Sequence, residues 1–238
     1  MKKLLLLGLF ILAVGAVSAT TIACSEIRGS GKIISEKRSL TGFTGVDAGG
    51  AIELQVTKGN NYSVEVQTDD NIMPFVQTTI EDGTLHIYTK DHSDINETTI
   101  IVKVSLPKLE LLALSGASTG TASQVNTDDL HLKVSGASKL SLDGTAKKVD
   151  ITASGASKLS INGTAVDVAC KVSGASSVKA QEFKAENVKV DCSGASKSQV
   201  YASSTIAIDA SGASSVAYSG NATVTSQETS GASSISKE

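Results

Sequence analysis

Apolar and polar residues alternate one by one through most of this chain. The runs include "AIELQVT" (51–57), "YSVEVQT" (62–68), "TLHIYTK" (84–90), "IIVKVSL" (100–106), "LHLKV" (130–134), "VDITA" (149–153), "VACKV" (168–172), "VKVDC" (188–192) and "IAIDA" (206–210). Alternation sends successive side chains to opposite faces, so each run predicts a β-strand with one buried face. No helical period appears beyond the N-terminus. In the second half the strands are punctuated by one tetrapeptide, SGAS, beginning at Ser115, Ser135, Ser154, Ser173, Ser193, Ser211 and Ser230, at spacings of 20, 19, 19, 20, 18 and 19 residues.

A unit of that length holds two or three short strands and no ordinary helix, and by itself cannot bury its aliphatic stripe. Stacked units bury it continuously. The fold expected is therefore all-β: a parallel β-solenoid, or β-helix, of about 19–20 residues per coil, with coils about 4.8 Å apart. Right-handed coiling follows by analogy with parallel crossovers. "LPKLELLALSG" (106–116) hints at a leucine-rich repeat, but later units lack its leucine spacing. "DGT" (143–145) and "NGT" (162–164) read as turns within a unit.

Stacking also accounts for SGAS. A bend repeated in every coil lies against its own copy, which demands residues that tolerate self-contact. Gly116, Gly136, Gly155, Gly174, Gly194, Gly212 and Gly231 allow positive φ or close backbone approach. The serines can pass hydrogen bonds along a ladder. Alternation alone places Ser138 inward and Ala137 outward, although a corner at Gly136 can reverse that phase.

Aligned on SGAS, Cys170 matches Val190 and Cys192 matches Val172. The two lie on one face but diagonally, with Cα atoms about 8 Å apart, beyond disulfide reach. Two buried free thiols are expected. Positions that were aliphatic become Thr225, Gln227 and Thr229 in the last unit, so the apolar stripe fades and leaves an open strand edge where an edge-to-edge homodimer can form.

Lys2 and Lys3 precede the apolar run "LLLLGLFILAVGAV" and the small residues "SATTIAC". This predicts a signal peptide over 1–23 and a single β-solenoid domain over 24–238, with irregular longer coils over 29–107 and SGAS coils over 108–238. "VSA" (17–19) suits ordinary cleavage, whereas "TIAC" makes Cys24 a lipid-anchor site. An exported outer-membrane lipoprotein is expected, with a periplasmic or secreted soluble form as the alternative. The only membrane contact implied is the N-terminal lipid. Formal charge is −3, more negative by two units without Lys2 and Lys3. No basic run occurs, which argues against nucleic acid.

"GSGKIISEKRSLTGFTGVDAGGAIELQV" (29–56), "VEVQTDDNIMPFVQTTIEDGTLHIYTK" (64–90) and "IIVKVSLPKLELLALSGASTG" (100–120), followed by the SGAS array, closely resemble the putative autotransporter adhesin head GIN domain family. The resemblance spans nearly all of the chain after the leader. It implies an exported, often lipid-anchored β-helical protein of the Bacteroidetes type of envelope, and supplies no catalytic residues.

Candidate chemistry is sparse. "GSGK" (29–32) lacks the remaining residues of a phosphate loop. His86, Asp91, His92 and Asp94 form the only His/Asp cluster, without repeated ligand spacing. "TDDN" (68–71) and "NTDD" (126–129) lack the pattern of a calcium loop. Asp143, Asp150, Asp167, Asp191 and Asp209 are scattered over the coils, with only Asp150 and Asp209, or Asp143 and Asn162, read as sharing a position. A carbohydrate-cleaving β-helix needs convergent carboxylates. No catalytic residue, cofactor or metal is therefore assigned. What repeats outward is Thr119, Lys139, Lys158, Ser177, Lys197, Ser215 and Ser234, a candidate binding row for a glycan or for an envelope or surface protein. The function expected is a non-catalytic adhesin. An envelope scaffold without adhesion is the alternative.

Overall fold

The computed structural model describes residues 27–90, 95–96 and 98–238. Cys24 and the leader lie outside these residues, as do Asp91, His92 and Asp94. Among the described residues no helix is long and apolar enough to cross a membrane. The chain passes through β1 (Ile27–Arg28), β2 (Ile33–Arg38), β3 (Gly45–Ala48), β4 (Ile52–Lys58) and β5 (Ser63–Asp69). A 3-10 turn at Met73–Phe75 leads to β6 (Val76–Glu81), β7 (Thr84–Thr89), β8 (Ile95–Asn96) and β9 (Ile100–Leu106). The repeats then contribute β10 (Leu111–Leu114), β11 (Thr119–Val134), β12 (Lys139–Ala153), β13 (Lys158–Val172), β14 (Ser177–Cys192), β15 (Lys197–Ala210), β16 (Ser215–Ser219), β17 (Thr223–Thr229) and β18 (Ser234–Lys237).

The result is a β-solenoid of about 7 turns. From β10 onward every ladder is parallel, and each repeat pairs with the next in the register that SGAS alignment predicts: Leu140 opposes Leu159, which opposes Val178. From β11 to β15 each repeat is one long bent strand rather than two or three separate ones, and only the repeat after Ser211 divides, into β16 and β17. The inward residues of a long strand come in runs, in β11 Gly120 and Ala122, then Val125 and Thr127, then Leu130, Leu132 and Val134, whereas in β12 the first two runs merge into Leu140 to Ala146. Corners fall where alternation slips and two successive residues face solvent, as at Lys147 and Lys148.

"DGT" and "NGT" are therefore not turns, since both lie inside strands, β12 and β13. Their glycines serve contact between coils. A Cβ on Gly163 would strike the Gly144 carbonyl directly beneath it. One continuous, mainly aliphatic core runs from Phe43 to Ala222, each fully buried Val, Leu, Ile or Phe contributing about 1.5–3 kcal/mol.

The N-terminal portion departs from the expected order. β4 lies between β9 and β11, and β3 lies between β7 and β10. The segment 45–58 is thus a regular coil, inserted between the coil made by β7 and β9 and the first SGAS coil. The strand β9 leads into SGAS along the chain but does not stack on it. Beyond β7 and β9 the ladders turn antiparallel, with β6 on β7, β5 on β9 and β2 on β5. This layer caps the parallel stack and leaves the charged, mostly exposed β2 as its outer edge, a form that resists pairing with other chains. Phe43 packs on Tyr62 beside it, ring centroids 5.0 Å apart.

The opposite end has no such layer. Every residue of β17 is exposed, including Thr225, Gln227 and Thr229, and β17 and β18 each pair on one side only.

Candidate functional site

At each bend the glycine adopts positive φ, from 68° at Gly136 to 75° at Gly155, and its carbonyl accepts the amide of the alanine one coil on. Ala156 donates to Gly136 at 2.8 Å and Ala175 to Gly155 at 2.7 Å. The ladder thus continues through the corner without a break. Glycine and alanine face solvent. The second serine turns inward, in agreement with simple alternation: Ser118, Ser138, Ser157, Ser176, Ser196 and Ser214 are buried.

Buried hydroxyls need partners, and most find backbone carbonyls rather than a serine ladder. Ser157 donates to the Val134 carbonyl at 3.1 Å, Ser196 to Val172 at 3.3 Å and Ser214 to Cys192 at 3.4 Å. The Val134 carbonyl already accepts the Ser154 amide at 2.9 Å, so each lone pair is used. A serine pair joins the pattern at Ser157 and Ser176, 3.2 Å apart.

The same bend occurs earlier in a form that does not spell SGAS. Gly50 has φ 106° and its carbonyl accepts the Ala117 amide. "AGGAIEL" (48–54) is the cue, matching "LSGASTG" (114–120) with the serines replaced.

The outward row is continuous. Thr119, Lys139, Lys158, Ser177, Lys197, Ser215 and Ser234 are successive ladder partners, one per coil. A parallel row of Thr121, Ser141, Ser160, Lys179, Gln199, Ala217 and Ser236 runs two residues further along each strand. Lys179 belongs to this face although the first row does not contain it. An offset of two from Ser177 was the available signal.

The scattered acids do not converge. Asp143 accepts Asn162 at 2.8 Å from the next coil, and Asp167 accepts Asn187 at 3.0 Å. Asp150 lies 3.3 Å from His131 and 3.2 Å from Lys148. Asp150 and Asp209 do not share a row. Asp150 opposes Ala169, whereas Asp209 opposes Asp191, because the two stand at different distances ahead of their SGAS bends. His86 lies 3.3 Å from Asp47 on the neighbouring strand. Among the described residues no group of three or more His, Cys, Asp or Glu side chains gathers as a metal site.

"GSGK" and "TDDN" meet each other instead of a ligand. The Gly31 amide donates to the Asp69 carboxylate at 2.6 Å, Ser30 donates to Asp70 at 2.6 Å and Lys32 pairs with Asp70 at 3.2 Å. The Ser30 hydroxyl and then Lys32 hold the Asp70 carboxyl below its ordinary range. Asp69 is buried and also accepts the Thr98 hydroxyl at 2.5 Å, so it clamps the cap together.

Both SGAS-unit cysteines are buried and free, with Cys170 opposite Val190 and Cys192 opposite Val172 as the alignment requires. Burial pushes the Cys170 thiol up to about 12 and the Cys192 thiol to about 11.

A family model described as "Putative auto-transporter adhesin, head GIN domain" matches residues 42–222. No curated protein matches the chain. Solved structures do. A putative adhesin from Bacteroides fragilis superposes with a TM-score of 0.81 at 20% identity, covering 89% of this chain and 100% of that one. One from Parabacteroides merdae gives 0.72 at 18% identity, covering 90% and 99%. A Parabacteroides distasonis protein described as a putative lipid binding protein gives 0.67 at 19% identity, covering 90% and 100%. At these identities the likeness is one of fold.

Proposed function

The chain belongs to this family of head GIN domain proteins, and on that premise we propose that it is a non-catalytic, exported envelope adhesin. It engages a glycan or a surface protein through the flat face formed by the two outward rows. The observation that carries this reading is the register. A surface of hydroxyls and amines repeats in step from Thr119 to Ser234, which suits an extended ligand better than a single small molecule. Asp143, Asp150 and Asp167 are each paired to a neighbouring amide or cation, and Asp191, Asp209 and Glu228 form a single column along the coils rather than facing one another across a groove, which suits binding without catalysis. The Cys24 lipid anchor and outer-membrane placement complete the proposal.

Protease added to intact cells should cleave the protein, and purified protein should retain surface glycans or proteins in a binding array. Full protection in intact cells would overturn surface adhesion. The open C-terminal edge supports a second reading, a scaffold joined edge to edge as a homodimer. Light scattering that finds only monomers would dispose of it.

A further inference from the structure

Resting on that reading, we infer that the two-row face binds a linear acidic polysaccharide of the polyuronate class, laid along the solenoid axis across the strands. Lys139, Lys158, Lys179 and Lys197 fall on four successive coils of this face, one per coil. At about 4.8 Å per coil their backbones span about 14 Å. Such a repeat suits a polymer carrying one carboxylate on each sugar.

The charge distribution is uneven in a way that overall composition hides. The chain is acidic, with formal charge −3, yet between Thr119 and Ser236 the two rows contain these lysines and no Asp or Glu. Among the described residues none of the four has an ion-pair partner, whereas lysines at the corners do: Lys147 with Asp128 at 2.8 Å and Lys108 with Glu110. Acids resume at the borders of the face: Glu53 opposes Thr119 one coil before the rows begin, Asp143 is held by Asn162, and Glu182 faces Lys184 at 3.9 Å. On the 131–133 side of the coil, lysines and acids mix, with Lys171 opposite Asp191 displaced by one coil.

Lys139 directly opposes Lys158. Like charges in that position are destabilising in a sheet, and a bound anion relieves the repulsion. Lysine ammonium groups on flexible stems are point charges without fixed fork geometry, which lets them follow carboxylates along a polymer. Thr119, Thr121, Ser141, Ser160 and Ser177 flank them with hydroxyls for the sugar. Neither row carries an aromatic ring, so the face has no platform for stacking a neutral sugar.

The test measures binding of the full chain to polygalacturonate and to its methyl ester, which has the same backbone without the charge. Binding should be strong at low salt, weaken as salt screens it, and be lost on esterification. The variant K139Q/K158Q/K179Q/K197Q should lose about tenfold or more in affinity, with a thermal melt unchanged or slightly raised, because all four changes are at the surface and remove the Lys139–Lys158 repulsion. K133Q/K171Q/K189Q, on the 131–133 side, should stay within about twofold.

Equal binding of ester and acid, or equal loss in both variants, overturns the inference. So does equal affinity for double-stranded DNA or for vesicles of anionic lipid, which would make the face an unselective polyanion surface. Salt-sensitive self-association abolished by the four-lysine variant would also overturn it, because Asp191, Asp209 and Glu228 of a second copy would then be the occupant. If the four-lysine variant still holds the surface ligands found in the array, adhesion stands and only the acidic-glycan inference fails.

Discussion

Gly155 has φ +75°, and a Cβ there would lie 2.7 Å from the Gly136 carbonyl oxygen. Gly155→Ala therefore meets two penalties: about 1 kcal/mol for left-handed backbone and about 1–3 kcal/mol for overpacking. Urea titration should report a loss of about 2–4 kcal/mol. Gly83 is the control. It has φ +72° but open space around the would-be Cβ, so Gly83→Ala should cost only the first term. Equal losses would mean that coil contact is not what requires glycine at the bend. The cysteines make a separate residue-scale prediction. Both thiols should resist a thiol reagent in the native protein and react once it is unfolded. The unfolded chain loses these protons near pH 9, whereas the fold retains them toward pH 11–12. Stability from this source is complete below pH 9 and declines as pH rises through that window. Cys170→Val should flatten the decline, measured as urea midpoint against pH.

At the scale of the strand, columns of identical position expose exceptions. Ser198 of β15 stands between Val178 and Val216 in an otherwise aliphatic column, buried, with Cys170 Sγ at 4.0 Å as its partner. A sulfur is a weak partner for a buried hydroxyl. Ser198→Ala should leave stability unchanged or raise it by up to about 1 kcal/mol, read from the thermal midpoint. The inward bend serines are different, because their carbonyl acceptors are close. Asp69, at the end of β5, holds Gly31 ahead of β2 and Thr98 ahead of β9 by two hydrogen bonds to one buried carboxylate. Asp69→Ala should cost about 2–4 kcal/mol, and limited proteolysis should then cut first in the 27–38 segment as the cap loosens.

Across the whole molecule the two ends are unequal. One is closed by antiparallel strands, and the other ends in β17 and β18, paired on one side only. Hydrogen exchange should be fastest over 223–237 and slowest in the inward runs of β12 to β14, with protection rising coil by coil from the C-terminal end. Uniform protection would indicate that the rod opens only as a unit. Most of the solenoid was readable from the chain, since SGAS alignment gives the pairings of Leu140 with Leu159 and Cys170 with Val190. The candidate face was only partly readable. Thr119 to Ser234 follow from the period, but Lys179 sits two positions off it, and the absence of acids beside these lysines emerges only when rows are laid side by side.

What the sequence by itself determined is local and repetitive: alternation decides which side chains of a strand go inward, and a fixed period decides which copies meet. Gly and Ala at the bend, with serine behind them, follow from that stacking. Only the tertiary structure decided that the 45–58 coil slips between two later segments, that antiparallel strands close the N-terminal end, and that "GSGK" binds "TDDN". Alternation specifies a strand's buried face but is the same for a parallel or an antiparallel neighbour, near or far along the chain. Where no repeat identifies the partner, long-range pairing and burial choose it.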